Sequence, residues 1–195
     1  MKPIIKSRSL TPLLGMLLLA CSITAAQAQD YKIDPSHSFV QFRISHLGFS
    51  ILNGRFNKLE GNFHYDAKRS EKSSFKLLVD TDSVDTNHAE RDKHLRAADF
   101  LDSAKFPKAE FTSMRFREEG KSATLAGKLQ LRGITKNIEV YVQRLGEGKD
   151  PWGGYRMGFK GQTSIRLADF GITKDLGPKA EEMRLDIYIE GIRVD

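Results

Sequence analysis

The sequence predicts an all-β protein, a single antiparallel β-barrel of about eight strands with a short helical lid segment. Three observations carry this. Apolar and polar residues alternate at period two in most stretches beyond residue 38, which gathers the apolar ones on one face of a strand. The stretches are joined by short connections, and short hairpins pair strands antiparallel. Only Ser83 to Phe111 carries a helical pattern, and it is too polar to seal a core.

Residues 1–28 read as an export signal rather than as fold. Lys2, Lys6 and Arg8 give a basic start, and Leu13 to Ala20 an apolar run too short to span a bilayer. Ala26-Gln27-Ala28 is a small-x-small cleavage site, so Gln29 is the expected mature start and 29–195 the exported, periplasmic domain. Leu18-Leu19-Ala20-Cys21 offers an alternative, a lipoprotein anchored at Cys21. Leu19 is an unusual occupant of that motif and a normal cleavage site follows, so soluble export is preferred.

The strands follow in order. Val40, Phe42 and Ile44 share a face, with Gln41 and Arg43 opposite. Leu59, Gly61, Phe63 and Tyr65 repeat the pattern, followed by Phe75, Leu77 and Val79 and then by Phe111 and its neighbours. Ala123, Leu125, Gly127, Leu129 and Leu131 alternate with Lys128 and Gln130, and Ile138, Val140 and Val142 with Glu139 and Tyr141. Met157 to Ile165 and Met183 to Ile189 complete the set. Arg132-Gly133 marks a tight turn, while Gly146 to Gly154 reads as a longer loop.

The helical segment has Asn87 as its predicted N-cap, with Glu90 three residues on in a capping-box pattern. His88 to Leu95 is expected to be helical at a barrel rim, directing Leu95 and Phe100 towards the protein. Arg91 and Asp92 are expected to pair with neighbouring elements. A two-sheet sandwich would show the same strand alternation. Glycines on the apolar faces (Gly61, Gly127, Gly161) and a lid that needs something to close favour the barrel.

Composition excludes several functions. Removing three basic and no acidic residues with the signal takes the formal charge from +6 to +3, and the remaining charges are interspersed. Nothing there calls for nucleic acid. Cys21, the sole cysteine, leaves with the signal, so the domain has no disulfide or thiol nucleophile. His88 and Asp92, and Glu90 and His94, stand at i,i+4, but the pairs point in different directions and no third ligand follows. No metal and no cofactor are expected. No serine sits in a nucleophile elbow, so no catalytic residue is assigned.

Asp85-Thr86, Arg91-Asp92, His94-Leu95, Asp99-Phe100 and Phe106-Pro107 closely resemble the YceI-like family. So do His37 to Ile44 with His46-Leu47-Gly48 upstream, and Leu131 to Lys136 and Asp150 to Gly153 downstream. The resemblance spans the whole mature chain. It implies a lipocalin-like barrel in the periplasm of a Gram-negative cell, binding a long-chain isoprenoid lipid, with a homodimer possible.

The residues fit that expectation. A ten-residue strand extends roughly 33 Å, so a tilted barrel offers a long narrow interior. Candidate lining residues are Val40, Phe42, Ile44 and His46 on the first face, then Phe63, Phe75, Leu77 and Val79. Leu125, Gly127, Leu129, Val140, Phe159 and Leu185 complete the lining. Arg91 and Trp152 are candidate headgroup contacts at the two ends. Two classes stand: a carrier of the lipid, or an enzyme acting on its headgroup at the barrel mouth.

Overall fold

The computed structural model describes residues 28–194, so residues 1–27 of the expected signal, Cys21 among them, lie outside the described residues. Eleven strands occur among them: β1 (Gln29–Ile33), β2 (Phe39–His46), β3 (Ser50–Phe56), β4 (Leu59–Tyr65), β5 (Ser74–Asp80), β6 (Val84–Asp85), β7 (Lys108–Glu119), β8 (Ser122–Leu131), β9 (Ile134–Lys149), β10 (Tyr155–Arg166) and β11 (Glu182–Val194). All pairings are antiparallel. Because β1 pairs with both β4 and β11, the sheet closes into an eight-stranded barrel in the order β1-β4-β5-β7-β8-β9-β10-β11.

The wall continues beyond that ring. β11 holds β1 through Gly191–Val194 and holds β2 through Arg184–Tyr188, so β2 prolongs the line of β1. In the same way β3 pairs with β2 while β4 pairs with β1, and β6 follows β5 across a 3-10 turn at Thr81–Ser83. The barrel is thereby drawn out into a longer sleeve on one side. The closing strand β1 was not predicted, because Tyr31 and Ile33 are its only buried residues.

The period-two faces point inward as expected. Val40, Phe42, Ile44, Phe63, Val79, Leu125, Val140, Phe159 and Leu185 are buried, and Phe75, Leu77 and Leu129 pack against the same clusters. The predicted Gly146–Gly154 loop is shorter than expected. β9 and β10 stay paired out to Lys149 and Tyr155, leaving Asp150 to Gly154 as the turn.

The helix α1 (Ala89–Arg96) lies at the rim, as predicted, but its cap is one residue later than the sequence suggested. Asn87 has a φ of 61° and so lies in the left-handed region, and it is His88 that takes the extended N-cap conformation. The His88 Nδ1 accepts from the Arg91 amide at 3.3 Å. Glu90 therefore occupies the second helical residue, in the first turn, rather than completing a box. Asp92 does the reciprocal work instead, its buried carboxylate accepting from the Thr86 amide and hydroxyl.

Candidate functional site

The two ends of the sleeve differ. At one end the rings of Tyr31, Phe63, Phe75, Phe116, Phe159 and Tyr65 interlock. Tyr31 stacks on Phe63 at 4.7 Å, and Phe159 meets Phe63, Phe75 and Phe116 edge-on. This floor is braced by polar groups outside it. The Tyr65 hydroxyl donates to Glu118 at 2.6 Å, which also accepts from Arg144. Burial and then that hydrogen bond push the Tyr65 hydroxyl above its ordinary range.

Above the floor lies an apolar chamber of about 140 Å³. Val40, Phe75, Leu77, Val79, Leu125, Leu129, Val140, Phe159 and Leu185 line it, nine of the residues singled out from sequence. Phe56, Leu101, Leu131 and Met183 separate it from a second chamber of about 310 Å³ and belong to both linings. Phe42, Ile44 and His46 line this outer chamber, with Leu95 and Phe100 of the lid segment. An apolar chamber of about 150 Å³ takes one benzene-sized group, whereas the outer one enters the range of small-ligand sites, about 300–1,000 Å³.

Four sequence-based placements need correction. Phe63 is part of the floor and not of either lining. Gly127 opens no space, because a Cβ there would collide with the Phe111 ring, which already occupies the room. Of the three glycines only Gly161 lines the inner chamber, and a Cβ at Gly61 would strike the Lys76 carbonyl oxygen. His46 keeps its place in the lining, exposed at the rim of the outer chamber. Trp152 is 78% exposed on the β9–β10 turn, beside the floor, with the Arg156 guanidinium over its ring. It is therefore remote from the outer chamber, whereas Arg91 borders it.

The polar groups at the mouth engage one another. Arg91 donates to the Thr86 hydroxyl at 2.7 Å and to its carbonyl at 2.6 Å, as the sequence led one to expect of a structural pair. Asp99 accepts from Lys174 at 2.7 Å and contacts His94 at 3.1 Å, and these bonds hold its carboxyl down at about 2. Arg132 donates to the carbonyls of Ala98 and Gly171, tying the lid segment to the loop after β10. Sequence reasoning missed Phe56, Leu101 and Leu176. Phe56 becomes visible only once the hairpin register sets it opposite Val40.

Asp34, His37 and Glu190 converge beside the floor with the geometry of a metal cluster. A cation already holds the position, since Arg156 bonds Asp34 at 2.7 Å, Glu190 at 2.6 Å and Asp150 at 2.8 Å. The group is an ion-pair network.

A closed antiparallel barrel with an apolar interior under a short helical lid is the architecture of the lipocalin-like proteins. Within that class, the chain belongs to the YceI-like family, whose domain matches residues 31–191. A UPF0312 protein of Pseudomonas paraeruginosa is 49% identical over 93% of this chain and 97% of its own length. One from Yersinia enterocolitica is 46% identical, over 93% and 96%. Among solved structures, BcnA of Burkholderia cenocepacia superposes with a TM-score of 0.73 at 20% identity, over 81% of this chain and 98% of its own. A polyisoprenoid binding domain from Saccharophagus degradans gives 0.61 at 18% identity, over 84% and 98%.

Proposed function

We propose that this protein is a periplasmic binding protein that holds the tail of a long-chain isoprenoid lipid in its two chambers, with the head at the α1 end. The observation that carries the reading is the stacking of two apolar chambers behind shared walls, closed at one end and bordered by polar groups at the other. From Phe159 at the floor to Ile165 beside Met183, β10 offers about 20 Å of strand at about 3.3 Å per residue. A flexible apolar chain fits such a space better than a flat cofactor. Each buried methylene is worth about 0.8 kcal/mol before ordering costs. A polyisoprenoid is the ligand in the name of the Saccharophagus domain of the same fold. Binding is favoured over turnover because Arg91, Asp99, His94 and Lys174 are committed to partners within the lid.

The test is lipid extraction and mass spectrometry of protein purified from its native envelope. Ala109, whose side chain borders the inner chamber, is the position to obstruct. Ala109→Phe should cut isoprenoid recovery at least tenfold with the fold intact. Gly127→Phe would be uninformative, because its side chain would collide with Phe111. Equal recovery from both proteins, or none from the wild type, would refute lumen binding; lipid turned over during incubation would favour the headgroup enzyme.

A further inference from the structure

The β2–β3 hairpin carries the largest exposed aromatic side chain of the mouth. Phe49 is 88% exposed, Ile51 59% and Leu47 48%. An isolated exposed apolar residue needs no explanation, but a cluster beside a cavity does. The turn that presents them is hydrogen-bonded and packed against a neighbouring loop. Leu47 and Gly48 both have positive φ, 54° and 78°, and the Phe49 amide donates to the His46 carbonyl at 2.9 Å. The Ser45 hydroxyl ties the strand end to Pro178 at 3.0 Å, and Leu47 packs so closely on Gly177 that a Cβ there would lie 2.9 Å from it.

The same hairpin frames the outer chamber. Leu47 belongs both to the exposed tip and to the chamber lining, together with His46 and Leu52. Across from them stand Arg91, His94 and Leu95 of α1. β3 joins β6 only through Arg55–Asp85 and Phe56–Val84, so among the described residues Ser50 to Gly54 have no ladder partner on the α1 side. An apolar chain entering between hairpin and helix would pass directly over Leu47.

We infer that the β2–β3 tip, through Phe49, Ile51 and Leu47, docks this mouth onto a lipid bilayer. This goes beyond the binding reading and rests on it only for the direction of traffic. A second copy of the chain is the weaker occupant. An aromatic side chain carries about 150–250 Å², so a convex tip of three side chains falls well short of the roughly 800 Å² per partner that a stable dimer buries. A few apolar side chains entering the interfacial layer suit reversible binding to a lipid surface. The neighbouring charges are largely paired: of Arg43, Lys179 and Arg184 beside Glu182, Arg43 and Arg184 both pair with Asp186. Apolar insertion therefore drives the contact, and it should persist on zwitterionic vesicles and in high salt.

The single tryptophan makes the orientation testable, since Trp152 lies beside the floor at the opposite end. Phosphatidylcholine vesicles free of isoprenoid are the probe. With Trp152→Phe as background, Phe49→Trp should shift its emission to the blue on vesicle addition, while Trp152 in the wild type should not respond. In flotation, the folded Phe49→Ser/Ile51→Ser double variant should partition at least tenfold less than wild type. An unshifted Phe49→Trp, a shifted Trp152, or equal flotation of variant and wild type overturns the inference. So does a concentration-dependent dimer that the double variant abolishes. Lipid extraction reads the lumen separately: vesicle binding without extractable lipid sinks the proposed function alone, and extractable lipid without vesicle binding sinks only the docking.

Discussion

At the floor, aromatic rings touch one another and leave no path, with Phe116 only 1% and Phe63 only 2% exposed. At the mouth, aliphatic residues such as Leu95, Leu176 and Leu52 only partly bury themselves around the smaller cluster of Ile44, Phe100 and Leu167. The floor is held by strands that pair on both sides. The mouth is assembled from a hairpin, a two-turn helix and a loop, joined by single contacts such as Asp99–Lys174 and Arg132–Gly171. The same barrel therefore keeps its stability at one end and its access at the other. Elements poor in buried contacts are those that open first.

The strongest way to break that contrast is to empty the floor. Phe116→Ala should cost about 3–5 kcal/mol in urea unfolding, the usual loss for a buried Phe, because its ring meets Tyr65, Phe75 and Phe159. A cost under 1 kcal/mol would show that the rings are not a structural plug.

Arg156→Met should come next, with a clear drop in melting temperature from three carboxylates losing their shared cation. Acid tests the same network. Burial raises the Asp34 carboxyl, but hydrogen bonds from Ser36, Arg156 and His37 outweigh it and hold it well below its ordinary value. Its contribution is therefore fully present above the unfolded pKa of about 3.9 and lost as pH falls below that towards the folded value. The melting difference between wild type and Asp34→Asn should be constant from pH 5 to 8 and shrink below pH 4.

At the mouth the effects should be smaller and of another kind. Leu95→Ala, which trims a half-buried side chain shared by two clusters, should cost about 1–2 kcal/mol while speeding lipid release in stopped-flow measurements. Asp99→Asn is expected to leave the melting temperature at pH 7 almost unchanged, since exposed pairs contribute little. It should still raise amide exchange in 97–106, and unchanged exchange there would mean that the Lys174 contact restrains nothing.

The floor and the mouth were not equally legible in sequence. Parity alone placed Val40, Phe42, Leu125 and Val140 inside, because one buried face enforces register. It could not separate Phe63, which fills, from Leu77, which lines. That distinction depends on which ring across the sheet takes the space, as Phe111 does at Gly127. β3 escaped because its outward positions carry Ile51 while its inward ones include Gly54, which Phe42 overlies. The cap escaped because Asn87 is the favoured N-cap type, and only its left-handed backbone hands the position to His88.

The closure between β1 and β11 sets the order in which the molecule can be made. Asp30 pairs with Val194 and Ile33 with Gly191, so contacts between nearly the first and nearly the last described residues complete the ring. Such distant pairings cost loop entropy before they return any stability, and they slow folding. A chain emerging from its N-terminal side holds β1 against β4 with one edge bare until the final strand arrives. Until then the interior is a trough rather than a tube, and the unfilled edge is the segment's main aggregation hazard. Removing Gly191 to Val194 should arrest the protein in that open form.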